Sequence, residues 1–353
     1  MKRQLLALLA GLCLAQLAGA REITDMAGRK VNVPDRIERV FGSAPPLNVL
    51  LHAVAPESML GLSFPVTEEN KAFFPPRLQT LPVVGGIFGM GQQMNPETVL
   101  AMKPDIALAW KSPFIDQAKI EGAFAKIGVP VVFIQLDVLA DWPAALRYTG
   151  QLLGHEKTAE AQAQYIEQRL ARVAKAIKAI PENQRLKVYY AEGPDGLATD
   201  CHRSFHTEAI ELAGGYNVYR CEPKDHTGME RISLEQVLAL APEVIITQDP
   251  AVAANIRQEA RWLGVPAVKN GNIHVVPRWP HNWVDRPPSM MRVLGVQWLA
   301  NLFYPKTYPL DLRRETREFY QLFLGTSLDE AALSKLLQFS EPTSSQPKPK
   351  KQA

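Results

Sequence analysis

Two stretches of this chain echo each other, and that repeat limits the possible folds more than any other feature. Residues 95–110 read NPETVLAMKPDIALAW and residues 233–248 read SLEQVLALAPEVIITQ. Aligned, they place Glu97 on Glu235, Val99-Leu100 on Val237-Leu238, Pro104 on Pro242 and Asp105 on Glu243, an offset of 138 residues (235 − 97). Each copy reads as a short amphipathic helix that ends before proline, followed by a buried strand rich in branched residues. A second echo supports the first. Gly128-Val129-Pro130 leads into VVFI, and Gly264-Val265-Pro266 leads toward Ile273-His274-Val275-Val276, at an offset of 136 residues (264 − 128). Alternating helices and strands in two similar units predict an α/β chain of two lobes, each built on a parallel sheet.

Between the echoes, Ala159, Ala163, Ile166, Leu170, Val173, Ile177 and Ile180 recur at spacings of four and three, and Pro181 closes the series. This predicts one long helix from about Trp142 to Ile180 with a single apolar stripe. Placed between the lobes, such a helix is a stiff connection that limits their relative motion. At the start, Lys2 and Arg3 precede an apolar run from Leu5 to Leu17 that ends in Ala18-Gly19-Ala20, the pattern of an export leader cleaved after Ala20. The run is too short for a membrane helix, which needs about 20 apolar residues. Cys13 follows bulky Leu12, where a lipoprotein signal uses a small residue. From Ser340 the sequence SEPTSSQPKPKKQA has no apolar residue before Ala353 and reads as a solvated, disordered tail. The expected organisation is leader 1–20, N-terminal lobe 21–142, linking helix 143–181, C-terminal lobe 182–339 and tail 340–353.

The formal charge of +3 includes the two cations of the leader, and no basic stripe marks the folded part, which argues against nucleic acid as a partner. No other segment has the length of apolar sequence needed to enter a bilayer stably. Beyond the leader the cysteines are Cys201 and Cys221. Export makes a disulfide between them chemically accessible; two half-buried free thiols are the alternative, and their spacing fits no CxxC-type metal site.

Ile23-Thr24-Asp25-Met26-Ala27-Gly28-Arg29 with Val33-Pro34 and Arg39-Val40 resembles the opening hairpin and strand of the class III, helical-backbone periplasmic binding proteins. Pro96-Glu97-Thr98-Val99-Leu100-Ala101-Met102-Lys103-Pro104-Asp105 and Trp298-Leu299-Ala300-Asn301-Leu302-Phe303-Tyr304-Pro305 resemble the same family, so the likeness runs through nearly all of residues 21–330. It implies two Rossmann-like lobes joined by one long backbone helix, with a ligand cleft between them. It also implies a monomeric carrier in the periplasm that hands cargo to the permease dimer of an ABC importer, with no catalytic activity and no cofactor of its own. The family docks through one acidic residue per lobe, and the matching positions are Glu97 and Glu235. Each also stands in the first turn of its helix, where a carboxylate favours the helix end.

Ligands of open α/β sheets sit beyond the carboxyl ends of the strands. In the N-terminal lobe that directs attention to the loop after Val84, with glycines 85, 86, 89 and 91, and to Trp110 and Lys111 after Ala109. In the C-terminal lobe it selects His206, His226 and above all Trp279, His281, Trp283 and Arg286. Two indoles, an imidazole and a guanidinium suit a flat anionic metal chelate, with aromatic area for its body and a forked donor for its oxygens. His281 and His206 are the candidate metal ligands; each histidine also has a purely structural reading. A ferric siderophore is the first expected cargo, ahead of a nickel or cobalt chelate, cobalamin, haem or molybdate. A binder of bare zinc or manganese needs several ligands converging from both lobes, and here the N-terminal half offers only His52 and His155, neither in a cleft loop. A metalloenzyme is disfavoured because HExxH, GxSxG and Walker motifs are absent.

Overall fold

The computed structural model describes residues 19–87, 93–224 and 227–338. All but the end of the expected leader, and the whole expected tail, lie outside these residues. Strands β1 (Ala20–Thr24) and β2 (Lys30–Pro34) form an antiparallel hairpin turned at Gly28, whose φ is +81°. The hairpin is clamped to the N-terminal lobe by its own turn. Asp25 is buried, pairs with the Arg29 guanidinium at 2.7 Å and accepts a hydrogen bond from the Phe133 amide at 3.1 Å. Arg29 in turn donates to the Val131 carbonyl at 2.7 Å and lies over the Phe133 ring. The opening motif is therefore a charge-assisted staple between the chain start and a sheet edge.

The N-terminal sheet is parallel, in the order β3 (Val40–Gly42), β4 (Ile106–Lys111), β5 (Val131–Gln135). Its helices are α1 (Pro45–Val54), α2 (Pro76–Gln79), α3 (Pro96–Ala101) and α4 (Gln117–Ala125). After the helical linker α5 (Trp142–Leu153) and α6 (Glu156–Ile177), the second lobe carries β6 (Lys187–Ala191), β7 (Ala198–Thr199), α7 (Glu208–Leu212), β8 (Tyr216–Asn217), β9 (Glu230–Arg231), α8 (Leu234–Leu240), β10 (Val244–Thr247), α9 (Pro250–Gln258), α10 (Pro266–Lys269) and β11 (Ile273–Val275). Its parallel sheet runs β11-β10-β6-β8. Strands buried on both faces are continuous apolar runs, as parallel sheets require.

The repeat survives at backbone level. Asn95 caps α3 by accepting from the Glu97 and Thr98 amides, and Ser233 caps α8 through a reciprocal box with Gln236. Past the helix ends, Lys103 and Ala241 both adopt a left-handed conformation at φ 48° before their prolines. A side chain in that region is strained, and the strain recurs at the same place in each lobe.

The linker differs from the single helix expected at 143–181. Gly154, at φ +77°, ends α5, and α6 turns back against it. Gly150 packs against Ala159, and Arg147 on α5 pairs with Glu160 and Glu167 on α6, each at 2.6 Å. The left-handed glycine just past a helix end is the stop signal, and the apolar stripe belongs to α6, the long backbone helix. The chain also returns. After α11 (Arg292–Phe303) come α12 (Leu312–Leu324) and α13 (Glu330–Leu337), and α12 packs against α1 of the N-terminal lobe. Its buried stripe of Thr316, Phe319, Tyr320, Phe323 and Leu324 explains the return. The end of the expected C-terminal lobe, 182–339, thus packs on the first lobe.

Almost every residue of α11 is buried. Gly295 lets it approach the backbone at Trp283 and Val284 so closely that a methyl group there would overlap the Trp283 carbonyl. Gly295→Ala is expected to lower stability by the upper end of about 1–3 kcal/mol, read as a fall in the thermal midpoint of the ligand-free protein.

Candidate functional site

A cavity of about 450 Å³ opens between the lobes, beyond the carboxyl ends of the parallel strands. The N-terminal wall consists of α1, through Asn48, Val49 and His52, and of the segment carrying Met59, Leu62, Ser63, Phe64 and Phe74. The opposite wall comes from Gln248 and Asp249 after β10 and from Arg278, Pro280, His281, Asn282 and Arg286 after β11. Its polar frame is largely self-satisfied. The Asn48 side chain accepts from the Ser63 amide at 2.6 Å, and Asn282 accepts from the Val284 and Asp285 amides while donating to Gln248.

Arg286 reaches the cavity from a buried acidic nest. Its Nη2 lies 2.9 Å from Asp200 and 3.4 Å from Glu192, and its Nε is 3.3 Å from Asp285. His206 fills the remaining side, bonded to Asp285 through Nδ1, with Arg286 Nη1 at 2.9 Å from its Nε2. If Nδ1 carries the proton donated to Asp285, Nε2 accepts from the guanidinium. Burial first, then a hydrogen bond with Asp200 and the charge of Asp285, push the Glu192 carboxyl up to about 10. Glu192 is accordingly neutral near pH 7, and the guanidinium balances the two aspartates only in part.

Two imidazoles border the cavity from opposite lobes. His52 stacks on Phe74 with ring centres 5.3 Å apart, and the edge of Phe74 meets His281 at 5.9 Å. Burial, and next the neighbouring His281, bring His52 down to about 3; burial brings His281 down to about 4. Both rings are neutral at physiological pH, with a lone pair free for a metal or a hydrogen bond.

Of the candidates read from the sequence, His281 and Arg286 line the cavity. Trp279 lies just behind it, half-buried against the core, under the Arg278 guanidinium, and its carbonyl accepts from Tyr320. Trp283 is a correction: it is fully buried, its indole donating to the Tyr320 hydroxyl at 3.4 Å, so it is core. Trp110 is another, because it is buried edge-on against Phe205 where the lobes meet. Lys111 is a third, since its ammonium is spent on the Met26 carbonyl and Gln135, holding the first hairpin. His206 is a buried partner of Arg286 rather than a cavity residue, and the Asp200–His206–Asp285 cluster to which it belongs is occupied by that guanidinium. His226 and most of the glycine loop, residues 88–92, lie outside the described residues. Cys201 and Cys221 are joined as a disulfide, Cα atoms 5.0 Å apart. Glu97 and Glu235 are exposed at the second positions of α3 and α8, outside the cavity.

The sequence reading missed His52, Ser63, Phe64 and Phe74. For His52 a signal was present: Asn48 and His52 are polar residues four apart in the otherwise apolar PLNVLLHAV, hence on one face of α1.

The depressed histidines fix the sign of an acid response. Between the unfolded value of 6.5 and the native values of about 3 to 4, the unfolded chain binds protons that His52, His274 and His281 refuse. Stability of the ligand-free protein should therefore fall as pH drops from 6.5 toward 4, and be flat for these groups above it. Chemical denaturation across that window measures it. Trp283→Ala should cost about 3–5 kcal/mol, as loss of a core indole does.

The family profile described as "Periplasmic binding protein" matches residues 78–278. The molybdate-binding protein MolA of Haemophilus influenzae is 28% identical over 350 residues, covering 91% of this chain and 95% of its own. The vitamin B12-binding protein of Pectobacterium carotovorum is 29% identical over 176 residues, covering 49% of this chain and 59% of its own. Among solved structures, an ABC transporter solute binding protein from Sulfurospirillum deleyianum superposes with a TM-score of 0.84 at 35% identity, covering 90% of this chain and 99% of that one.

Proposed function

The chain belongs to the periplasmic binding proteins, in their class III form, and on that premise we propose that its cargo is a compact, anionic metal chelate with an open coordination position. As a family member it is a substrate-binding component of an ABC transporter and not an enzyme. The observation that supports the cargo is the company His281 keeps: a neutral imidazole beside an apolar wall of Met59, Leu62, Phe64 and Phe74, with guanidiniums at Arg278 and Arg286. An imidazole lone pair suits iron, nickel or copper. The guanidiniums suit carboxylate or catecholate oxygens, and the apolar wall suits an organic body. A chelator that saturates six positions leaves the imidazole nothing to bind. That favours a ferric siderophore of low denticity first and a nickel or cobalt chelate second.

A second reading is a tetrahedral oxyanion. MolA, similar over nearly its whole length, carries molybdate in its name, and two guanidiniums with nearby amides are the donors such an ion needs. The apolar wall has no use for it. We further propose export through the leader at 1–20 and docking on a permease pair through Glu97 and Glu235, whose exposed carboxylates can pair with cations across an interface.

Tryptophan fluorescence titrations compare the readings. Ferric nitrilotriacetate, which leaves positions open, should bind at least tenfold more tightly than ferric desferrioxamine B, which leaves none, and His281→Gln should shift the absorption of the bound complex. Tight binding of molybdate alone would select the second reading. For docking, the paired Glu97→Ala and Glu235→Ala change should abolish transport in reconstituted vesicles while the affinity of the purified protein for its cargo stays as it was.

A further inference from the structure

Two polar side chains on the N-terminal wall of the cavity are buried with polar atoms that make no well-formed hydrogen bond among the described residues. His52 is 3% exposed, and neither of its ring nitrogens finds a hydrogen-bond partner among the described residues. One N–H does point toward the Leu324 carbonyl, a contact outside good hydrogen-bond geometry that raises its basicity, the least of the influences on it. Ser63 is 6% exposed, and its hydroxyl is likewise unpartnered. Both line the same cavity. Buried polar groups in native proteins are bonded as a rule, so an exception calls for a cause. A core histidine retained for packing would show well-formed partners; this one has at most a weak contact from one N–H to the Leu324 carbonyl, and its other nitrogen has no partner among the described residues.

We infer that His52 is a cargo-contacting residue, left with an unpartnered ring nitrogen so that the cargo completes its bonding from the lobe opposite His281. The inference rests on the cargo reading above and deepens it. A neutral imidazole offers one lone pair and one N–H. The N–H stays toward the Leu324 carbonyl, the lone pair takes an open position on the metal, and the Ser63 hydroxyl serves a chelator oxygen. Imidazoles from both lobes then make cargo recognition depend on the two walls together. Phe74, stacked on His52 and edge-on to His281, sets the orientation of each ring.

The test is His52→Phe, which keeps an aromatic ring on Phe74 and removes the unbonded nitrogens. Replacing a buried, unpaired polar group by an apolar one of similar shape is neutral or stabilising. The variant should therefore keep or raise the thermal midpoint of the free protein. Its dissociation constant for ferric nitrilotriacetate should rise at least tenfold, with a changed absorption spectrum of the complex. His52→Gln, which restores an N–H donor without a metal-competent lone pair, should bind between the two. An unchanged dissociation constant in His52→Phe overturns the inference, and so does a fall in its midpoint by several degrees, which would make the imidazole structural. The cargo reading fails separately, if the wild-type protein ignores every metal probe. In that event molybdate serves as the probe, and a tenfold loss in His52→Phe upholds the contact while an equal affinity removes it.

Discussion

Burial of α11 around nearly its whole circumference is the constraint on which the rest of the molecule rests. A helix with no solvent face must be enclosed on every side, and here α6, α7, α12 and the backbone at Trp283 and Val284 enclose it. Its first residue, Arg292, is fully buried and bonds Glu208 at 2.9 Å, and Glu208 accepts from the Leu139 amide of the other lobe. Leaving either charge unpaired in that interior is costly, so the lobes are held together at this point. Gln162 on α6 adds a second tie, donating to the Ala53 carbonyl of α1 and the Leu322 carbonyl of α12. Large hinge motion would break the link from Arg292 through Glu208 to Leu139, while Gln162 fixes the linker to the first lobe.

The same enclosure aims the cleft loop. With Trp283 sunk in the core and Trp279 braced by Tyr320, the residues between and just after them are set facing the cavity: His281 and, three past the tryptophan, Arg286. Burial raises the Glu192 carboxyl toward its neutral form, so the two aspartates are the charges that hold the Arg286 guanidinium, while Arg278 adds a cation at the rim. On the cargo proposed above, a site of this kind would hold its ligand through geometry and an imidazole contact more than through net charge. That is appropriate for a carrier that must also let go.

How much of this was legible in the sequence follows from the range of the interactions involved. The two lobes, their parallel strands and the equivalence of Glu97 with Glu235 came from local patterns repeated at one offset, and local patterns are what a sequence displays. The break at Gly154 was equally local, but the apolar stripe beyond it masked the stop. Trp110, Lys111 and Trp283 were misplaced because each sits where a strand or loop end meets a distant element, Phe205, Met26 or Tyr320, and nothing nearby in sequence reveals that partner. His52 was passed over because it lies on a helix rather than in a loop. A helix directly following the first strand of a parallel sheet borders the cleft as closely as any loop does.

The repeat is kept unequally on the outside of the molecule and in its cleft. On the outside, the two copies have kept the helix caps, the acidic second residue, and even the strained left-handed residue before proline, at Lys103 and Ala241. Inside the cleft the described walls are unlike in their supports: His52 stands on a helix, α1, whereas His281 stands on a loop that also carries Arg286, caged by acidic side chains. Two equal receptors would preserve the equivalence of the surfaces they touch, because each lobe then meets the same chemistry. A single cargo seated between the lobes imposes no such equality, and a metal complex with unlike faces rewards its loss. Divergence within the cleft and likeness on its flanks are thus what a two-lobed carrier should show when one asymmetric ligand is delivered to a paired partner.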